Sequence, residues 1–165
     1  MKRTLALLLG IFLDVAGYSQ SKTLPSVNIK TLEGQSINVQ TLGQTGKITV
    51  ISFWATWCSP CKKELDAISE IYEDWQKKYD MELVAISTDD ARSAAKVPGV
   101  VNEKGWKYRI LLDSNKELSI AANIQSVPYT FLLDQKGNIV YEHIGYAPGD
   151  EDELEEKIAA LAGKK

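Results

Sequence analysis

Two runs of apolar residues, separated by a long amphipathic segment, organise the middle of the chain. Residues 48–54 (Ile-Thr-Val-Ile-Ser-Phe-Trp) and 82–87 (Glu-Leu-Val-Ala-Ile-Ser) are short and mostly apolar, which is typical of strands buried on both faces of a sheet. Between them, residues 60–79 carry apolar side chains at three- and four-residue spacing. This spacing predicts a helix with one core face, and a right-handed crossover then brings the two strands side by side.

The rest of the pattern predicts shorter elements on either side of this unit. Alternating apolar residues indicate hairpins, and three- to four-residue spacing indicates helices. The strand–helix–strand unit, followed by a hairpin and a helix, predicts an α/β sandwich with a mixed central sheet flanked by helices. The predicted additional elements are a hairpin of 27–29 and 37–39, a helix within 89–105 interrupted at Pro98-Gly99, a strand at 109–112, a helix at 116–122, a hairpin of 130–134 and 139–144, and a helix at 151–161.

The N-terminal residues have the composition of a secretory signal. Lys2 and Arg3 precede an apolar run at 5–13, and cleavage is expected after Ser19. The run is shorter than the roughly 20 residues that span a bilayer. The alternative is a frayed N-terminal helix on a cytosolic protein. We therefore expect export to the periplasm or cell envelope, soluble or N-terminally anchored, with a signal peptide at 1–19, a linker at 20–26 and one domain at 27–165.

Composition and charge exclude several classes of protein. The chain has 165 residues, 44% of them hydrophobic and 25% charged, and a net charge of −3, which describes an ordinary globular domain without the basic surface that nucleic acid requires. Its two cysteines cannot form a disulfide framework. With His143 as the single histidine, too few ligands remain for a closed zinc site, so no metal site is predicted.

The segment Trp57-Cys58-Ser59-Pro60-Cys61 carries the chemistry. It places both cysteines at the start of the predicted helix, where two thiols three residues apart can form a disulfide. A helix N-terminus favours a thiolate over a thiol, and only the thiolate attacks disulfides. A purely structural disulfide is a weak alternative, because a loop this short constrains the unfolded chain little. The motif therefore predicts thiol–disulfide exchange.

Two segments, 52–64 and 126–134, resemble the thioredoxin superfamily, and most of all its exported TlpA/ResA-like thiol–disulfide oxidoreductases. The resemblance implies a thioredoxin-like three-layer sandwich. It makes Cys58 the attacking thiolate and Cys61 the residue that resolves the mixed disulfide. It also implies a cis Val127-Pro128 peptide bond that faces the cysteines and leaves the Val127 backbone free to pair with a substrate peptide.

The resemblance also assigns roles to residues around the motif. Glu64 follows Cys61 by one turn and is expected to accept its proton, in place of the buried aspartate that thioredoxin has at the position of Ser52. The alternative for Glu64 is a solvated helix face. Trp57 is expected to shape contacts with the substrate. Ser59 and Pro60 are expected to contribute to substrate binding as well and to set the redox potential.

We therefore expect an enzyme that reduces disulfides in exported proteins, for example apocytochrome c, and that a membrane thiol donor reduces again. The Cys58–Cys61 disulfide is its expected redox group, with no other cofactor, and a monomer is expected. Two alternatives remain: a thiol peroxidase of the peroxiredoxin type, and a copper-binding assembly factor in which His143 joins the two thiolates.

Overall fold

A mixed seven-stranded sheet forms the centre of the computed structural model, which describes residues 22–163. The strands lie in the order β2-β1-β5-β4-β3-β6-β7. The predicted neighbours β3 and β4 are parallel, while β6 pairs antiparallel with the other edge of β3. The strands are β1 (Asn28–Thr31), β2 (Ser36–Asn38), β3 (Ile48–Trp54), β4 (Met81–Ser87), β5 (Arg109–Leu112), β6 (Tyr129–Leu133) and β7 (Ile139–Ile144).

Helices cover both faces of this sheet and complete three layers, which confirms the predicted architecture. The side chains of α1, α2 and α4 contribute to one apolar core, and those of α3 and of a short 3₁₀ helix at Val39–Gln44 contribute to the core on the opposite face. The helices are α1 (Ser59–Tyr79), α2 (Val97–Lys104), α3 (Glu117–Ala121) and α4 (Asp150–Ala162).

Strand β3 is buried along its whole length and divides its side chains between the two cores. Val50 and Trp54 pack in the core of α1 and α4, whereas Ile51 and Phe53 pack in the other, as the two-residue period of a strand requires. The same period points Ser52 toward α1. A polar side chain is thus placed at the centre of the more extensive core.

The β6–β7 hairpin contains an irregularity that sets which residues lie opposite each other. Leu132 pairs with Tyr141, but Leu133 pairs with Ile139, so Val140 is an extra residue on β7. Such a bulge bends and twists its strand locally. Beyond it, His143 lies directly opposite Thr130.

The segment predicted as a linker at 20–26 is attached to the domain from Lys22 onward. The Lys22 carbonyl accepts the N–H of Ile139 at 2.7 Å, and Thr23 forms an isolated bridge with Asn138. Leu24 is only 2% exposed and packs in the core on the α3 side. The predicted domain boundary at residue 27 therefore lies inside packed structure, because both backbone pairing and the burial of Leu24 attach the segment.

The predicted signal peptide, residues 1–19, lies outside the described residues, as do residues 20 and 21 of the predicted linker. Within residues 22–163, no helix combines the length and the apolarity that a membrane span requires. The expectation of export therefore continues to rest on the composition of the N-terminal residues.

The predicted interruption at Pro98-Gly99 is wrong in its position. Pro98 lies in the first turn of α2, and the chain before it forms a 3₁₀ turn at Ala94–Lys96. Proline is well placed there, because the first helical N–H groups have no partner within the helix in any case. The proline therefore begins this helix rather than breaking it.

Leu24→Ala tests the attachment of the N-terminal segment. We expect the free energy of unfolding to fall by about 2–5 kcal/mol, the cost of truncating a buried leucine. Ile120→Ala is the matched control, because Ile120 is 76% exposed and such sites change stability by about 0.5 kcal/mol or less. Urea denaturation measures both variants, and equal small losses would show that residues 22–26 are a free linker.

Candidate active site

The two cysteines lie where the chain leaves β3 and begins α1. Cys58 is the N-cap of α1, and its Sγ accepts the backbone N–H of Cys61 at 3.2 Å. A disulfide joins the two residues, whose Cα atoms are 5.3 Å apart. The N–H contact and the positive end of the helix both stabilise negative charge on the Cys58 sulfur after reduction.

Exposure distinguishes the two cysteines from their neighbours. Cys58 is almost fully buried and Cys61 is completely buried, whereas Trp57 is 70% exposed and Ser59 and Pro60 are also exposed. Cys61, one turn further into the helix, is therefore the less accessible sulfur. The roles in which Cys58 meets the substrate and Cys61 acts from behind it stay predictions.

A buried carboxylate fixes the turn that carries Trp57. Asp89 accepts the backbone N–H of Thr56 at 2.8 Å and its hydroxyl at 2.7 Å, and Lys62 Nζ donates to the Thr56 carbonyl at 3.0 Å. Asp89 was not singled out from the sequence. A detectable signal existed, because Asp89 follows β4 at the same end of the parallel pair at which β3 leads to the cysteines.

The loop before β6 supplies the second part of the site. The Val127-Pro128 peptide bond is cis, which confirms that expectation, and the Pro128 carbonyl accepts the N–H of Gly145 at 2.9 Å. Val127 and Trp57 line one surface groove of about 120 Å³ together with residues of α3 and of the 124–126 segment. Two of the four predicted substrate-binding residues thus share a groove, while Ser59 and Pro60 do not line it.

Glu64 lies one helical turn after Cys61 and is buried, at 5% exposure. Thr130 donates its hydroxyl to Oε1 at 2.7 Å, and Ser52 donates to Oε2 at 3.3 Å. Burial raises the pKa of Glu64 from 4.5 to about 7, and these two hydrogen bonds lower it only in part. The carboxyl group can therefore gain and lose a proton near neutral pH, and the solvated alternative for Glu64 is excluded.

Thr130 is a further residue that was not assigned a role from the sequence. It lies in the quoted 126–134 segment, but its pairing with Ser52 across β3 and β6 is a property of the folded sheet. Among the described residues, no three His, Cys, Asp or Glu side chains converge in a way that could hold a metal ion. The catalytic and binding roles of the residues named above stay predictions.

Comparisons with known proteins agree with this geometry. The model of the Redoxin family matches residues 19–158. The chain is 31% identical over 136 residues to the thiol-disulfide oxidoreductase ResA of Bacillus thuringiensis (strain Al Hakam), with 82% of this chain and 76% of the relative covered. It is 32% identical over 145 residues to the sporulation thiol-disulfide oxidoreductase A of Bacillus subtilis (strain 168), with 84% and 86% covered.

A solved structure extends the comparison to the fold. The solution structure of an uncharacterized thioredoxin-like protein from Porphyromonas gingivalis is similar with a TM-score of 0.77 and 42% sequence identity, and the match covers 86% of this chain and 92% of that chain. Together, these similarities confirm the predicted resemblance and the fold that it implies.

Glu64→Gln tests the buried carboxyl group through the pH dependence of stability. Between pH 4.5 and 7, the folded protein keeps a proton on Glu64 that the unfolded chain has lost, so wild-type stability falls as pH rises through this window. Because glutamine does not ionise, the variant does not lose stability over this pH range through residue 64. We expect the stability of the variant relative to wild type to rise by about 3 kcal/mol across the window.

Urea denaturation of the disulfide form on both sides of the window measures this difference. Glu70→Gln, which removes a carboxylate from the exposed side of α1, controls for the general effect of charge. A difference between Glu64→Gln and wild type that stays constant with pH would contradict the raised pKa.

Proposed function

Because this chain belongs to the Redoxin family and is a thiol–disulfide oxidoreductase, we propose that it reduces disulfide bonds of exported proteins with the Cys58–Cys61 pair. The observation that carries the proposal is the placement of the pair at the N-terminus of α1, with Trp57, the neighbour of Cys58, lining an accessible groove and a buried carboxyl group one turn after Cys61. In this proposal the substrate surface is outermost, the nucleophile Cys58 lies next to it, and the proton acceptor lies furthest inside.

The reaction transfers two electrons to the substrate in two exchanges. The Cys58 thiolate attacks one sulfur of the substrate disulfide, which forms a mixed disulfide and releases the first substrate thiolate. Cys61 then loses its proton and attacks the Cys58 sulfur, which closes the Cys58–Cys61 bond and releases the second thiolate. Each released thiolate takes up one proton, so the substrate gains two electrons and two protons.

Glu64 is the proposed acceptor of the Cys61 proton. Cys61 is fully buried, so water is a poor base for its thiol, whereas the Glu64 carboxyl group lies on the same helix one turn away. Its pKa of about 7 is suited to the task, because a base works best when its pKa lies near the working pH. Glu64 thereby prepares the second exchange and leaves the first to Cys58.

The groove between Trp57 and Val127 is the proposed binding surface for the substrate. An extended peptide there can use the Val127 backbone for hydrogen bonds and the exposed indole of Trp57 for apolar contact. Pro128 keeps this loop turned toward the site, and Ser59 and Pro60 fix the backbone conformation between Cys58 and Cys61. The proposed substrates are therefore extended segments that carry a disulfide.

The direction of transfer, the location and the electron donor are part of the proposal. Export is supported by the basic and apolar residues of the predicted signal at 1–19. In an oxidising compartment a reductase needs a supply of electrons, for which we propose a membrane thiol donor acting on a monomeric protein. The Cys58–Cys61 disulfide is then the complete redox group, without a further cofactor.

Cys61→Ser tests the exchange chemistry. Without the resolving thiol, the mixed disulfide on Cys58 should accumulate, so the variant should capture disulfide-bearing exported proteins as adducts that separate from it only after reduction. Non-reducing electrophoresis with mass spectrometry detects them. Cys58→Ser is the control and should capture none, and a Cys61→Ser variant that forms no adduct would contradict the proposed function.

The reduction potential of the Cys58–Cys61 pair tests the direction. Equilibration with glutathione mixtures, followed by thiol counting, should give a value close to that of thioredoxin, about −270 mV. A value near that of DsbA, about −120 mV, would make the protein an oxidant and reverse the proposed direction, while leaving the exchange chemistry intact.

A further inference from the structure

A small cavity lies beside Glu64, on the side facing away from the cysteines along α1, and both polar side chains and the apolar Ile68 and Leu154 line it. Its volume of about 10 Å³ is close to the space that one water molecule needs, and its lining includes Glu64, Thr130, His143 and Asp150. Every one of these side chains can donate or accept a hydrogen bond. The cavity therefore connects a carboxyl group that is closed off from solvent with a histidine that is not.

Three neighbouring strands contribute polar side chains on the face of the sheet that carries the Glu64 contacts. Ser52 pairs with Thr130, and Thr130 pairs with His143, so the three residues form one row across β3, β6 and β7. Directly opposite side chains in an antiparallel pair lie about 4.5–5.5 Å apart at Cβ. Since Ser52 and Thr130 both donate to Glu64, the same row leads from Glu64 to the imidazole ring.

Polar contacts at both ring nitrogens hold the imidazole in place. His143 Nε2 lies 3.1 Å from Asp150 Oδ2, Nδ1 lies 3.3 Å from the Tyr141 hydroxyl, and the side chains of His143 and Asp150 are each 30% exposed. Asp150 also accepts the N–H of Ala147 at 2.7 Å, which anchors the carboxylate. Both ring nitrogens thus have a polar partner, and His143 and Asp150 both line the cavity while remaining partly exposed to solvent.

We propose that His143, oriented by Asp150, carries protons between the Glu64 carboxyl group and solvent through this cavity. The inference rests on the proposed function, in which Glu64 takes the proton of Cys61. Glu64 must lose that proton before it can serve again, and the proton passes to the imidazole and from there to water. In this proposal His143 does not contact the reacting sulfurs. It acts through Glu64, as a positioning residue and not as a catalytic one.

The tyrosines near Glu64 do not offer another route at neutral pH. Burial raises the pKa of Tyr141 to about 12, and burial followed by a hydrogen bond to Glu151 raises the pKa of Tyr146 to about 12. Burial also raises the pKa of Tyr108 far above its usual value. All three phenols keep their protons where Glu64 exchanges its own, whereas an imidazole ring has one nitrogen that can accept a proton and one that can donate it.

Asp150 is the acidic residue of α4 that contacts the imidazole ring, while Glu151 and Glu153 have other partners. Glu151 accepts the hydroxyl of Tyr146 and the N–H of Gly149. Glu153 accepts the hydroxyl of Tyr141 and pairs with Lys157. Positive charge on His143 lowers the pKa of Glu64, while the charge of Asp150 raises it. The two groups of the proposed relay are therefore those whose charge the Glu64 carboxyl group senses.

A single-turnover reaction separates the two chemical steps. The reduced protein is mixed with dithiobis(nitrobenzoate) in a stopped-flow instrument, where the first nitrothiobenzoate is released by Cys58 and the second by Cys61. Below the pKa of Glu64 the second release has to wait for a proton to leave. For His143→Gln we expect the first release to be unchanged and the second to slow roughly ten- to hundredfold, at or below the lower end for a positioned acid–base group.

Added imidazole should restore the second release in His143→Gln, an effect that a purely structural role of His143 would not produce. Asp150→Asn keeps the ring but removes its anion and should slow the same step to a smaller extent. Asp152→Asn is the matched control, since it removes an exposed carboxylate from the same turn of α4 without lining the cavity, and it should behave as wild type.

A carboxyl NMR titration of Glu64 in the disulfide form gives an independent measurement. The pKa of Glu64 should rise in His143→Gln, because the lowering charge is gone, and stay as in wild type in Asp152→Asn. A second release that is equally fast in His143→Gln and indifferent to imidazole would overturn the relay alone. Absence of the first release in wild type would instead overturn the proposed function.

Discussion

Removing a carboxylate from water costs several kcal/mol unless hydrogen bonds compensate or the group keeps a proton, and the structure around Glu64 provides both. Thr130 and Ser52 donate to its two oxygens, and its pKa lies near 7. At higher pH the remaining penalty is about 3 kcal/mol, a large share of the 5–15 kcal/mol that typically separates folded from unfolded states. An apolar residue there would favour folding, so the carboxyl group is best explained by the chemistry of the buried thiol beside it.

The elements closest to the chemistry were the easiest to predict from the sequence, because local patterns determine them. An apolar strand buried on both faces, a proline in the first helical turn and a long amphipathic helix together locate Cys58 and Cys61 without knowledge of the rest of the fold. The cis bond at Pro128 is different in kind. Nothing in the local residues distinguishes it from an ordinary loop proline, and it was predicted only from the resemblance to known proteins.

The environment of Glu64 could not be derived from its neighbours in the chain. Lys62 and Lys63 precede it, which favours a solvated face, and its burial depends on β6, β7 and α4, more than 60 residues later. The same reason hid the burial of Leu24, whose packing surface comes from distant residues. Each is a long-range contact, and such contacts leave no periodic trace in a single sequence.

The extra residue on β7 has a consequence for how this hairpin can vary. If Val140 joined the regular ladder and no residue were removed, each later position would slide by one and reverse its face. Glu142 would then stand opposite Thr130 and bring a second carboxylate toward Glu64, while the imidazole would turn to the far side of the sheet. The number of residues in β7 near the bulge therefore decides which side chain faces Glu64, just as the identity of each residue does. Sequences of relatives should be aligned in β7 by the residue that each position pairs with on β6.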